Sequence, residues 1–177
     1  NAHESWAATI DDAFADTQGP AGPRCTPVVD GERVYAVSCR GELHCLNAAD
    51  GKLIWRSSYT RDFGAIFIGE KGAATGATRH GNNGSPLILD DKLYACAGGT
   101  NGSSIVCFEK KSGRVVWKSQ NDPAAYAPPV RATIAGVDQS VCFTAEALLG
   151  LDIRNGELLW RVPMKTAFGR HVTTPRV

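Results

Sequence analysis

Reading along the chain for apolar and polar positions gives one pattern three times over. From residue 24 onward, apolar residues recur at every second position in short runs broken by Gly, Asp and Asn. Such alternation predicts half-buried strands, and the breaks predict tight turns. The first unit reads as strands over 25–29, 33–38, 43–46 and 52–56, with turns at Asp30-Gly31, Arg40-Gly41 and Asp50-Gly51. The second runs over 84–89, 92–96 and 104–108 and closes at Trp117, its middle turn widened by residues 98–102. The third runs over 129–134, 140–144 and 148–151 and closes at Trp160; Ala145-Glu146-Ala147 lacks the turn glycine of the first unit. Residues 172–175 read as the opening strand of a fourth.

The closing stretch of each unit is its most constant part. Leu46-Asn47-Ala48-Ala49-Asp50-Gly51-Lys52-Leu53-Ile54-Trp55 returns as Phe108-Glu109-Lys110-Lys111-Ser112-Gly113-Arg114-Val115-Val116-Trp117. It returns again as Leu151-Asp152-Ile153-Arg154-Asn155-Gly156-Glu157-Leu158-Leu159-Trp160. In every copy a Trp follows the Gly by four residues. A Pro opens each unit, at Pro27, Pro86, Pro129 and Pro175, with spacings of 59, 43 and 46 residues. Repeats of this length, built from several short strands, are the mark of a propeller. The expectation is an all-β fold of four-stranded antiparallel blades over about 24–56, 84–118 and 127–161, with the next blade starting at 170–177.

Two stretches fall outside the pattern. Residues 1–21 read as a separate segment: Trp6, Ile10 and Phe14 at i, i+4 and i+8 predict a short helix over 4–15, with a linker as the alternative. Residues 16–22, rich in Gly and Pro, break it. The long first spacing reflects an insertion over 59–83, in which 63–69 reads as an extra strand and 71–77 as a mobile glycine-rich loop. Long loops on a rigid scaffold are where binding residues gather.

Composition narrows the function. Lys+Arg 19 against Asp+Glu 18 gives a net charge of +1 with no like-charged block, which gives no support to a nucleic-acid or anionic-membrane partner. No apolar run is long enough for a transmembrane helix, and no leader pattern opens the chain. None of the six cysteines forms a C-x-x-C pair, and most sit inside strand patterns. They read as small buried hydrophobes, with cross-strand disulfides an open alternative. Asn101-Gly102-Ser103 matches a glycosylation acceptor but reads more simply as turn chemistry.

The Gly-to-Trp stretch resembles the tryptophan-docking repeat of quinoprotein β-propellers, Ala-x-Asp-x-x-Thr-Gly-Lys-x-x-Trp. Gly51, Gly113 and Gly156 keep its Gly, and Trp55, Trp117 and Trp160 keep its Trp. Its Ala place holds Cys45, Cys107 and Gly150. The resemblance implies a structural role for these residues, each Trp stacking on a neighbouring blade's turn. Family propellers close with roughly eight blades, so the chain reads as a fragment of a longer protein. The family includes enzymes that bind pyrroloquinoline quinone with Ca²⁺ and oxidise alcohols. It also includes cofactor-free propellers of the outer-membrane barrel-assembly type. The enzymes' vicinal disulfide cannot form here, since no two cysteines are adjacent.

The sharpest candidate site is a parallel placement of Arg-His ahead of two blade starts. Arg79, His80, Asn82 and Asn83 precede Pro86, and Arg170 and His171 precede Pro175. An arginine suits an anion and a histidine a proton or a metal. The plain alternative is that these are loop residues capping turns. The expectation is a cofactor-free interaction scaffold, meeting a protein partner on one propeller face or further blades of the same protein. The alternative is a segment of a quinone-dependent alcohol or polyvinyl-alcohol dehydrogenase with its Ca²⁺. By resemblance, either belongs in the periplasm or outside the cell.

Overall fold

The computed structural model describes residues 3–17, 21–69 and 76–176, and these form three four-stranded antiparallel sheets. The first contains β1 (Val28–Asp30), β2 (Arg33–Val37), β3 (Glu42–Asn47) and β4 (Leu53–Ser58). Helices α1 (Tyr59–Phe63) and α2 (Ala77–His80) follow. The second sheet contains β5 (Leu87–Leu89), β6 (Lys92–Cys96), β7 (Ile105–Glu109) and β8 (Val115–Ser119). The third contains β9 (Val130–Ile134), β10 (Val137–Phe143), β11 (Ala147–Asp152) and β12 (Leu158–Pro163). Within each sheet the strands lie in chain order, as hairpin connections require. The middle strands are buried, while the outward pairs Leu53-Ile54, Val115-Val116 and Leu158-Leu159 are exposed.

One joint is built twice. In each sheet the register of the third and fourth strands slips beside the tryptophan's partner, at Cys45/Leu46, Cys107/Phe108 and Gly150/Leu151. A bulge there bends the strand and re-aims the side chain. Trp55 leans out of its own sheet onto the turn of the next, where its Nε1 donates to the Lys110 carbonyl at 3.0 Å and its ring lies on Gly113. The Tyr35 hydroxyl donates to the same carbonyl at 3.0 Å. Trp117 and Tyr94 repeat this at the following joint, both donating to the Ile153 carbonyl at 3.2 Å, with the Trp117 ring on Gly156. A Cβ at Gly113 or Gly156 would lie 2.6 or 2.4 Å from the ring, and both residues have φ above +70°. Glycine is required twice over, for the turn and for the ring.

The helix expected over 4–15 is not formed; residues 3–10 carry no regular structure. Its apolar residues are used differently. Trp6 donates from Nε1 to the Ala48 carbonyl at 2.9 Å and lies on Gly51. Phe14 meets Phe67 edge to face at 5.0 Å, and the Asp11 carboxylate accepts from Ser38 at 2.7 Å. An isolated helix this short is marginal, and anchoring Trp6 and Phe14 at separate points on the blades favours an open path. The extra strand expected over 63–69 is also absent. Phe63 closes α1, Gly64 caps it at φ +69°, and residues 64–68 run without a strand partner. Most of the glycine-rich loop expected over 71–77 lies outside the described residues. Residues 172–175 form no strand.

All six cysteines are free and buried. Burial pushes the Cys25 and Cys107 thiols up to about 12, so they stay protonated and unreactive.

Asp152, the last residue of β11, accepts from Arg154 Nη2 at 2.6 Å and from its backbone N–H at 2.8 Å. These bonds hold its carboxyl down from 3.8 to about 2. A depressed folded pKa stabilises the fold above the unfolded value, and this stabilisation is lost as pH falls through the folded one. Acid unfolding followed from pH 4 down to pH 2 is expected to include this loss. In Asp152→Asn that part of the acid limb should be flat.

Candidate functional site

The segments that lead into the first strand of each blade meet one another. Gly76 N–H donates to the Phe168 carbonyl at 2.8 Å, Ala77 N–H to Ala124 at 2.9 Å and Tyr126 N–H to Arg170 at 2.6 Å. Three stretches distant in sequence therefore build one loop face, and it collects most of the chain's candidate chemistry.

At its centre is a buried polar network. The Asp16 side chain is fully enclosed and receives Arg24 in a two-pronged pair, Nη2 to Oδ1 at 2.5 Å and Nη1 to Oδ2 at 2.9 Å. His80, 2% exposed, sits against the same carboxylate, Nδ1 to Oδ2 at 2.8 Å. Arg170 Nη2 lies 3.1 Å from His80 Nε2. An arginine only donates, so Nε2 is the acceptor and Nδ1 carries the proton given to Asp16. The imidazole is thus bonded at both nitrogens. Arg24 raises its own hold on the network by donating to the His80 carbonyl at 2.9 Å. The hydrogen bond to Asp16, more than the charge alone, keeps Arg24 above its ordinary pKa. Tyr126 stands beside the arginines; burial raises its phenol, against the opposing pull of Arg170 and Arg24. Arg79 Nε and the Tyr126 hydroxyl are buried with no hydrogen-bond partner.

The remaining candidates do other work. The Asn82 backbone N–H and side-chain amide both donate to the Cys39 carbonyl, at 2.7 and 3.3 Å. Its own carbonyl accepts from the Cys25 thiol at 3.3 Å. Asn83 donates to the Gly81 carbonyl at 3.0 Å. His171 turns away from His80: its ring lies flat on Phe143 at 4.7 Å, and its Nε2 donates to the Met164 carbonyl at 3.0 Å. An open depression of about 530 Å³ adjoins it, lined by Phe143, Thr166, Arg170, His171, Val172 and Thr173. The two Arg-His pairs are therefore not equivalent; His80 and Arg170 meet, while Arg79 and His171 do not join them through hydrogen bonds. Sequence reasoning missed Asp16, Arg24 and Tyr126, which lie in irregular segments with no motif around them.

The matching family model, described as outer membrane protein assembly factor BamB, covers residues 3–175. The chain belongs to this family of PQQ-like propeller repeats. Among solved structures it is similar to BamB from Moraxella catarrhalis, at 16% identity and a TM-score of 0.52, over 79% of this chain and 38% of that one. It is also similar to a quinohemoprotein alcohol dehydrogenase from Pseudomonas putida HK5, at 21% identity and a TM-score of 0.52, over 80% of this chain and 20% of that one. The computationally designed Ika4 protein matches at 11% identity and a TM-score of 0.52, over 92% of this chain and 80% of that one. These likenesses establish the propeller fold. The chain spans well under half of the BamB and dehydrogenase chains it matches. No curated protein matches its sequence.

The similarity to a dehydrogenase raises the question of a quinone with Ca²⁺, and the candidate groups on the loop face are engaged with one another. A quinone needs a free aromatic plate and a metal needs converging oxygen ligands. The His171 face is spent on Phe143, and Asp16 is spent on Arg24 and His80. Asp122 is likewise engaged, by Arg161 and Thr144, each at 2.7 Å. Among the described residues no three His, Cys, Asp or Glu side chains gather into a metal-holding group.

Proposed function

We propose that this BamB-type propeller is a cofactor-free interaction scaffold, meeting a protein partner on one propeller face or further blades of the same protein. The observation that carries this reading is that the charged groups at the centre of the loop face are engaged with one another. Asp16, Arg24, His80 and Arg170 are bonded to one another. Groups arranged in this way hold segments together rather than wait for a substrate. The family match supports a role in assembly, and by family the protein works in the periplasm or outside the cell.

The competing reading, a segment of a quinone-dependent dehydrogenase, draws on one observation: two buried donors, Arg79 Nε and the Tyr126 hydroxyl, stand unpaired on a face rich in arginine. A titration with pyrroloquinoline quinone and Ca²⁺, read by tryptophan fluorescence, separates the two. The scaffold reading expects no saturable quenching, and none from an Arg79→Ala/His80→Ala variant. Saturable quenching that the variant loses would favour the dehydrogenase.

A further inference from the structure

The two joints between blades can be compared position by position, because the sheets pair in the same register. Tyr35, Tyr94 and Val141 are equivalent, each opposite the residue that pairs with its blade's docking tryptophan. One residue further along lie Ala36, Ala95 and Cys142, and two residues further lie Val37, Cys96 and Phe143. Successive residues of a strand point to opposite faces, so Val37 of the first blade faces Ala95 of the second. Both belong to the core cluster of that joint. At the following joint the same two places hold Cys96 and Cys142, and both belong to the second cluster. A valine–alanine contact in one joint is thus a cysteine–cysteine contact in the other. The Cys142 thiol lies within hydrogen-bonding reach of Cys96.

The other four thiols are placed differently. Cys25 donates to the Asn82 and Gly84 carbonyls at 3.3 and 3.4 Å, and Cys39 to the Gly22 carbonyl at 2.9 Å. Cys45 and Cys107 lie in separate blades, each between its own tyrosine and tryptophan. Only Cys96 and Cys142 face each other across a joint.

We propose that Cys96 and Cys142 form a disulfide that ties the second blade to the third. Such a bond needs two cysteine side chains that already point at each other, and the register of the two sheets supplies this. The oxidant is a small disulfide such as oxidised glutathione. The Cys96 thiol gives up its proton, and its sulfur attacks one glutathione sulfur and releases a glutathione thiolate. The Cys142 sulfur, deprotonated in turn, then displaces the second glutathione from Cys96. Two protons and two electrons leave the protein, and one glutathione disulfide becomes two glutathione thiols. Cys142 is fully enclosed, and the bond to Cys96 and then burial push its thiol well above the ordinary value. The exchange therefore takes place while the blades are closing rather than after. Ala77 and Ala124, whose backbones pair on the loop face, lie in the same cluster, so the tie fastens the blades beneath that face. The proposal is independent of the scaffold reading and asks only for a compartment that supplies disulfides.

The test refolds the reduced protein in oxidised or in reduced glutathione and blocks free thiols with N-ethylmaleimide under denaturing conditions. Peptide mapping with fragmentation should find a Cys96–Cys142 bridge and four blocked cysteines in the oxidised sample, and six blocked in the reduced one. The same mapping on protein exported to a bacterial periplasm needs no refolding and should give the same pair. Oxidation should raise the melting temperature by roughly 5–10 °C. Cys96→Val with Cys142→Ala restores the pair of the first joint and should melt at one temperature in both buffers. Six blocked cysteines in both the oxidised and the exported protein overturn the proposal. So does a bridge through other cysteines, or a rise in melting temperature that the double variant keeps.

Discussion

Replacing Trp55 by alanine is expected to cost about 3–5 kcal/mol, the usual range for a large buried aromatic. Several contributions fail together at this residue. Trp55 is 9% exposed and stacks near Phe108 at 6.0 Å and Tyr35 at 6.1 Å, so its loss opens a cavity in the first core cluster. Its indole N–H also reaches the next blade, so the joint weakens along with the core. At roughly 2–4 °C per kcal/mol for a chain of this size, the melting temperature should fall by roughly 10 °C. Trp55→Phe separates the two contributions. It keeps an aromatic plate on Gly113 and loses only the bond to Lys110, which Tyr35 still makes, so about 1 kcal/mol is expected. Thermal unfolding of both variants checks this, and equal losses would mean that the hydrogen bond, not the ring, carries the joint.

The second large effect is expected at Asp16. Removing one partner of a buried ion pair typically costs about 3–5 kcal/mol, because the other charge stays behind. Asp16→Ala strands the Arg24 guanidinium and the His80 N–H at once. Arg24 retains 15% exposure, so water relieves part of the penalty and a loss near about 3 kcal/mol is the better expectation. Asp16→Asn keeps an acceptor for His80 and should lose less. The consequence is local as well as global. Asp16 ties the N-terminal segment to the insertion and, through His80, to Arg170, so hydrogen exchange should rise at residues 76–82 before it rises in β6 or β7. Uniform exchange across the blades would show that the network does not hold the loop face.

The blades were legible in the sequence because strand alternation, turn glycines and the Gly-to-Trp spacing all repeat in phase. Each strand buries its side chains against its own neighbours, and such local pairing leaves a periodic trace. Where burial comes from distant contacts, the trace misleads. Trp6, Ile10 and Phe14 have helical spacing, yet Trp6 answers to Ala48 and Gly51, more than forty positions away. Phe63 to Gly69 has the composition of a strand but no edge to pair with. The candidate site was legible in part for the same reason. Arg79, His80, Arg170 and His171 stood out by their parallel placement, and His80 does meet Arg170. What holds His80 for that contact is Asp16, a lone acid in an irregular segment, and its role exists only once separate segments have folded onto one face.

The His80 imidazole is held between Asp16 and Arg170 at the centre of the loop face. Nitrogen NMR of the histidine-labelled protein, recorded with and without pyrroloquinoline quinone and Ca²⁺, tests it most directly. The expected result is a His80 ring protonated at Nδ1 and unprotonated at Nε2, its Nδ1 proton slow to exchange and its signals unmoved by either addition. A His80 ring that exchanges freely with solvent, or whose signals shift on adding quinone and Ca²⁺, would contradict it.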